Sequence, residues 1–268
     1  MFSMSANDLP ELNAANHVIA AADAETQKAL MPPDSIDTPR CVMKVSEDMT
    51  EREAAFRLGH NLYSRSGLSA PHSMGMRVMK HHLADSTDIL VAKRAGEVVF
   101  TATLVQDAEY GLPLESLFSS ELDAMRNQRM RLAEVSCLAS DLGAESRSFQ
   151  FEMMVQMISL TLQTARRRGV DRLLLAVHPR HAKIYRRLFG CILCSGVKEY
   201  AAVCGNPAVL CMHDFHHLDQ TRYPLYDQMY NAKYEPWQLD GTRMSAFEKN
   251  YFGSAVTSAS SHLMSISA

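Results

Sequence analysis

Glu134 and Ser136 lie two residues apart in the run Leu132-Ala133-Glu134-Val135-Ser136-Cys137-Leu138. In an extended chain alternate side chains share a face, with roughly 6.5 to 7 Å between their Cα atoms, so one small substrate can touch both. A carboxylate facing a cleft loses hydration, its pKa rises, and it becomes a base suited to an ammonium nucleophile, directly or through one water. The same spacing also describes the polar face of an exposed antiparallel strand.

A second group is His178-Pro179-Arg180-His181-Ala182-Lys183-Ile184-Tyr185, a strand end running into a helix, where open α/β sheets commonly hold ligands. Helical spacing puts His181 and Tyr185 on one face. A tyrosine there can protonate a leaving thiolate, or serve as an amphipathic core residue with a wet hydroxyl. Charge is the third signal. Between Arg166 and Arg187 stand eight basic residues, Arg166, Arg167, Arg168, Arg172, Arg180, Lys183, Arg186 and Arg187, against the single acid Asp171. The whole chain has a net charge of -3, so this stretch concentrates a field that would steer an acidic partner, unless it is simply a solvated helix face. No aromatic interleaving or nucleic-acid motif accompanies it, and nucleic acid is not expected as a partner. Lastly, Cys191 and Cys194 precede His213 and His217, a superficial zinc set whose intervening segment exceeds finger spacing and includes a core strand. Small buried thiols are the expected reading, with no metal bound.

The elements that must position these groups alternate in type. Cys41 to Val45 reads as a strand, and Thr50-Glu51-Arg52-Glu53 as a capping box opening a helix with Phe56, Gly59, Leu62 and Tyr63 on one face. Ile89–Ala92 and Val98–Val105 flank the polar turn Lys93-Arg94-Ala95-Gly96-Glu97, a hairpin signal. Leu132 to Ala139 is a strand. Phe151, Met154, Val155, Ile158, Leu162 and Ala165 recur at helical spacing, closed by three arginines and Gly169. Leu173 to Val177 reads as a buried strand, Pro179 to Arg187 as a helix, and Val197 to Val203 as extended.

A chain of 268 residues with 47% hydrophobic and 21% charged residues is a globule with a sizeable core. No unbroken apolar run exceeds the length of Leu173 to Val177, far short of the ~20 residues of a membrane span. The first basic residue is Lys28, so the start does not read as a secretory signal, and six unevenly spaced cysteines are expected to stay reduced in the cytoplasm. The expected organisation is an alanine-rich arm over 1–39, a catalytic core over 40–215, and over 216–268 a helical extension ending in a mobile serine-rich tail.

The strand Glu134-Val135-Ser136-Cys137-Leu138-Ala139, the helix from Phe149, and the strand into His178-Pro179-Arg180-His181 and Tyr185 together resemble the FeeM-type N-acyl amino acid synthases. Gly111-Leu112-Pro113 and Glu121-Leu122-Asp123 belong to the same pattern, which covers roughly residues 40–215. That family sits with the GCN5-related acyltransferases and is similar to the acyl-homoserine-lactone synthases. The resemblance implies a mixed α/β sheet, splayed between two parallel strands, here Leu132 to Ala139 and Leu173 to Val177. It implies transfer of a long acyl chain from an acyl carrier protein thioester to the amine of an amino acid.

In that scheme Glu134 accepts the amine proton, Ser136 orients the acceptor and Tyr185 assists the departing thiol. Cys137, Leu138, Ala139 and Val177 are then expected along the acyl-phosphopantetheine, with backbone N–H groups of 137–139 at the oxyanion. Arg166, Arg167, Arg168, Arg186 and Arg187 would meet acidic carrier protein. Phe151, Met153, Met154 and Met157 would line an acyl tunnel or belong to ordinary core. The Asp141 to Arg147 connection lacks the glycine-rich loop with which many relatives cradle coenzyme A pyrophosphate, and Cys137 stands where homoserine-lactone synthases have arginine. The alternatives are a coenzyme-A-dependent N-acetyltransferase, a homoserine-lactone-type signal synthase, or a non-catalytic zinc or nucleic-acid module.

Overall fold

A computed structural model describes residues 41–256; the expected arm over 1–39 and most of the serine-rich tail lie outside the described residues. The described residues open with β1 (Val42–Val45) and α1 (Met49–Arg65). Helix α1 is capped by Asp48, whose carboxylate accepts the Glu51 N–H at 2.9 Å, rather than by the expected Thr50 box. After a loop and a 3₁₀ turn over Lys80–Leu83 come β2 (Thr87–Arg94) and β3 (Glu97–Gln106). Their hairpin loop is only Ala95-Gly96, at φ of 50° and 89°, because Lys93 and Arg94 stay paired with Val98 and Glu97. Two consecutive positive φ values suit the twist of a two-residue hairpin, which shortens the expected five-residue turn.

Next come α2 (Glu115–Asn127), β4 (Leu132–Ser140), α3 (Arg147–Arg167), β5 (Arg172–Val177) and α4 (Pro179–Phe189). Helix α2 has no counterpart in the sequence reading; it is kinked at Phe118 and packs its buried Phe118, Leu122 and Met125 against one sheet face. Helix α3 starts on the Ser146 hydroxyl, which accepts from the Phe149 N–H, and ends before Gly169 at φ 75°. The strands β6 (Ile192–Leu193), β7 (Lys198–Tyr200) and β8 (Asn206–Asp214) complete the sheet. The stretch expected to be extended through Val203 instead turns into a 3₁₀ segment at Ala201–Val203, and the long strand begins after the left-handed pair Cys204 and Gly205. Four helices follow: α5 (Phe215–Thr221), α6 (Tyr226–Asn231), α7 (Pro236–Asp240) and α8 (Ala246–Gly253).

The strands form one mixed sheet in the order β1-β2-β3-β4-β5-β8-β6, with β7 on β8. Among these strands every ladder is antiparallel except β4 with β5. Met154, Met157, Leu160 and Leu162 of α3 cover one face, and α6 is tied to α3 where the Met229 carbonyl accepts from the Ser159 hydroxyl (2.5 Å) and Gln163 Nε2 (2.7 Å). A third cluster joins Ala55 and Phe56 of α1 to Met76, Val78 and Phe252. Among the described residues no helix is long and apolar enough to cross a membrane.

Candidate active site

The parallel ladder between β4 and β5 is short. It pairs Leu132 with Arg172, Ala133 with Leu173 and Glu134 with Leu174, and there it stops. Strand β5 continues along β8 as far as Val177 against Val209, while β4 continues along β3, so the two strands part company. The cause is visible in β4: Ser136 faces Thr103 and Ala139 faces Thr101, leaving Cys137 and Leu138 opposite a single residue. Cys137 adopts φ +51° in this bulge. A bulge bends and twists its strand, here carrying β4 away from β5. The gap opens into a cavity of about 600 Å³, a size typical of small-molecule sites.

All seven residues expected at the site line this one cavity: Glu134, Ser136, Cys137, Leu138 and Ala139 from β4, Val177 from β5 and Tyr185 from α4. Glu134 is 3% exposed, and its Oε2 accepts the Leu114 N–H at 2.8 Å. Burial pushes its pKa up to about 8, only partly opposed by that hydrogen bond, so the carboxyl exchanges its proton near neutrality. Ser136 Oγ is buried without a hydrogen-bond partner, an orphaned polar atom on a cavity wall. Tyr185 is buried, and desolvation raises its phenol well above the ordinary range, so it stays a proton donor at any ordinary pH. His178 caps α4 through Nδ1, which accepts the Arg180 N–H at 3.3 Å, and Arg180 Nε donates to His181 Nε2 at 3.0 Å on the same rim.

Four groups join the site that sequence reading did not select: Tyr63, Arg77, His82 and Tyr200. Tyr63, Arg77 and Tyr200 line the cavity, and Glu134, Cys137 and Arg77 all act electrostatically on the two phenols. His82 Nδ1 accepts the Met79 N–H at 3.2 Å, so Nε2 carries the hydrogen and points at Cys137 Sγ, 3.9 Å away. Burial, with Arg77 second, lowers the His82 pKa to about 3, and the ring, stacked on Phe56, is a neutral donor. In the sequence Tyr63 belongs to an apolar helix face and Tyr200 to an extended segment, whereas Arg77 and His82 sit in a loop and a 3₁₀ turn without periodicity.

A smaller apolar cavity shares Val135, Leu138, Leu175 and Tyr185 with the first and reaches Ile158, Thr161, Leu162 and Phe189 behind the sheet. Phe151, Met153, Met154 and Met157 line neither; they are core, because α3 turns that stripe onto the closed part of the sheet. In the basic stretch, Arg166 binds Asp219 of α5 and Arg167 binds Asp240 of α7 (2.6 Å), while Arg168 binds Asp88 of β2 (2.8 Å) and Arg172 of β5 binds Asp214 at the end of β8 (2.9 Å). Lys183, Arg186 and Arg187 of α4 are exposed and make no ion pair among the described residues. The zinc set does not assemble: His213 Nδ1 is engaged with the Phe189 carbonyl at 3.0 Å, His217 is exposed, and among the described residues no three His, Cys, Asp or Glu side chains are grouped to hold a metal. All six cysteines are free thiols.

The family model described as N-acyl amino acid synthase FeeM matches residues 54–214. Among solved structures, FeeM, an N-acyl amino acid synthase from uncultured soil microbes, has 24% identity and a TM-score of 0.60, covering 70% of this chain and 96% of its own. The acyl-homoserine-lactone synthase LasI is 12% identical, with a TM-score of 0.51, over 65% of this chain and 90% of its own. The coenzyme-A-dependent acyl-homoserine-lactone synthase BjaI, with SAM and isopentyl-CoA, is 14% identical, with a TM-score of 0.51, over 81% and 98%. No curated protein sequence matches the chain.

Proposed function

Because the chain belongs to the FeeM family of N-acyl amino acid synthases and is an N-acyltransferase, we propose that it moves a long-chain acyl group from acyl carrier protein to the amino group of an amino acid. The observation that carries this reading is the open half of the β4–β5 pair, with a buried carboxyl of pKa about 8 at its vertex. The unpaired edges of β4 and β5 offer N–H and C=O groups to the amides of a phosphopantetheine arm, as an edge strand does to an added strand. The thioester carbonyl then sits at the bulge, where backbone N–H groups of 137–139 stabilise the developing oxyanion. Glu134, as carboxylate, takes the proton of the attacking amine. Ser136 Oγ supplies a hydrogen bond to the acceptor, and the Tyr185 hydroxyl protonates the departing thiolate. The C–N bond forms as the C–S bond breaks, and the acyl tail would start along Val135, Leu138 and Leu175, toward the smaller apolar cavity.

The donor assignment is supported by the exposed, unpaired cations Lys183, Arg186 and Arg187 on the helix that also bears Tyr185. They concentrate positive charge on that helix, which would steer an acidic carrier toward the site. The expected patch thereby contracts to α4, since Arg166, Arg167 and Arg168 are already committed to carboxylates. Purified protein offered amino acids with either acyl carrier protein or acyl-CoA donors tests the reading, the products read by mass spectrometry. N-acyl amino acids formed faster from the carrier-bound donor are expected. Faster transfer from acyl-CoA would replace the donor, and acylation of no amino acid would overturn the function.

A further inference from the structure

Arg77 is a half-buried cation that pairs with no acidic side chain among the described residues. Its backbone N–H donates to the Phe56 carbonyl at 3.1 Å, which pins the loop against α1. Its guanidinium lies over the Tyr63 ring, 4.5 Å from the centroid, and Nη2 donates to the Ala202 carbonyl at 3.3 Å. Nε is buried and without a hydrogen-bond partner, and the group faces the Cys137 thiol. No carboxylate pairs with it among the described residues; the acid on the same cavity wall, Glu134, is instead held by the Leu114 N–H. Removing a guanidinium from water without a counter-charge is costly, and its planar fork matches a carboxylate in two parallel hydrogen bonds.

Resting on the acyl-transfer reading above, we propose that Arg77 is the anchor for the α-carboxylate of the acceptor, restricting the substrate to free α-amino acids rather than amines at large. Arg77 and Glu134 line one cavity and both act on the same two phenols, Tyr63 and Tyr200. An α-amino acid carries its amine and carboxylate on one carbon, so docking the carboxylate on Arg77 turns the amine toward Glu134. Ser136 Oγ, the other unsatisfied polar atom of the cavity, is left to hydrogen-bond the bound acceptor. A decarboxylated amine leaves the cation unpaired.

The test compares leucine with isopentylamine as acceptors, and measures calorimetrically the binding of N-dodecanoyl-leucine against N-dodecanoyl-isopentylamine. In the wild type we expect a preference of about 100-fold for the carboxylate-bearing member in kcat/KM and in affinity, a size ordinary for a desolvated Arg–carboxylate pair. In Arg77→Met both ratios fall to within about threefold of one, and Arg77→Lys retains an intermediate preference because it keeps the charge but loses the fork. A wild type indifferent to the carboxylate overturns the assignment without recourse to any variant. So does an Arg77→Met protein whose two rates fall together at a constant ratio. The binding ratio does not require turnover, so a protein that transfers no acyl group would refute the acyl-transfer reading while the carboxylate assignment is still decided.

Discussion

The two halves of the β4–β5 pair carry opposite chemistry on adjacent residues. In the closed half, Leu132, Ala133, Leu173 and Leu174 are buried, laddered and apolar, and belong to the core. In the open half, Ser136 keeps an orphaned hydroxyl, Cys137 takes a left-handed backbone conformation, and β4 past Glu134 has no partner on its β5 side. Glu134 stands on the boundary, paired through its backbone to Leu174 while its side chain is desolvated in the cavity wall. A strand pair that is zipped for three residues and then parted gives both rigidity and access. The closed part fixes where the carboxyl sits, and the bulge decides that a substrate can reach it.

That contrast predicts that substitutions in the open half change turnover and those in the closed half change stability. Glu134→Gln, which keeps the shape, should lower kcat by 10² or more at pH 8 with little loss of fold, as measured by steady-state transfer and circular dichroism. Its pH behaviour has a defined sign. The folded carboxyl holds its proton up to about pH 8, while the unfolded one loses it in the ordinary carboxylate range. Wild-type stability therefore falls as pH rises between those limits, by up to about 1.4 kcal/mol per pH unit, and the rate rises toward a plateau above pH 8. Denaturation and rate profiles of the Gln variant should lack both trends.

Leu174→Ala, in the closed half and fully buried, should cost about 2–5 kcal/mol of unfolding free energy in a urea titration. Turnover that remains intact at temperatures where the variant is folded would sharpen the division between the halves. Tyr185→Phe should slow transfer roughly tenfold or more, with a smaller loss when the leaving thiol is more acidic, which isolates protonation of the thiolate from packing. The smallest effect is expected for Ser136→Ala: stability within about 1 kcal/mol of wild type, because no hydrogen bond is lost, and a severalfold rise in KM for the acceptor.

Strands β4 and β5 and helices α3 and α4 were legible in the sequence because each carries an uninterrupted period of its own, and the seven expected site residues inherit their positions from those periods. The site's remaining members lack such a signal. Arg77 enters from a loop fixed by a hydrogen bond to α1, and His82 from a 3₁₀ turn, so their approach to Cys137 depends on the packing of α1 and α8 rather than on local pattern. Helix α2 was hidden by Ser119, Ser120 and the kink at Phe118, which blur its amphipathic stripe. The basic run was visible as composition, but whether its charge is free depends on Asp219 and Asp240, far along the chain.

The central claim is that the parted strands seat a thioester beside Glu134. A crystal structure with a non-hydrolysable acyl-pantetheine thioether tests it most directly. The account predicts the pantetheine amides bonded to the free edges of β4 and β5, the carbonyl mimic at the 137–139 bulge, and the acyl tail passing Leu138 and Leu175. A ligand bound elsewhere, with the two strands closed onto each other past Glu134 and Leu174, would contradict it.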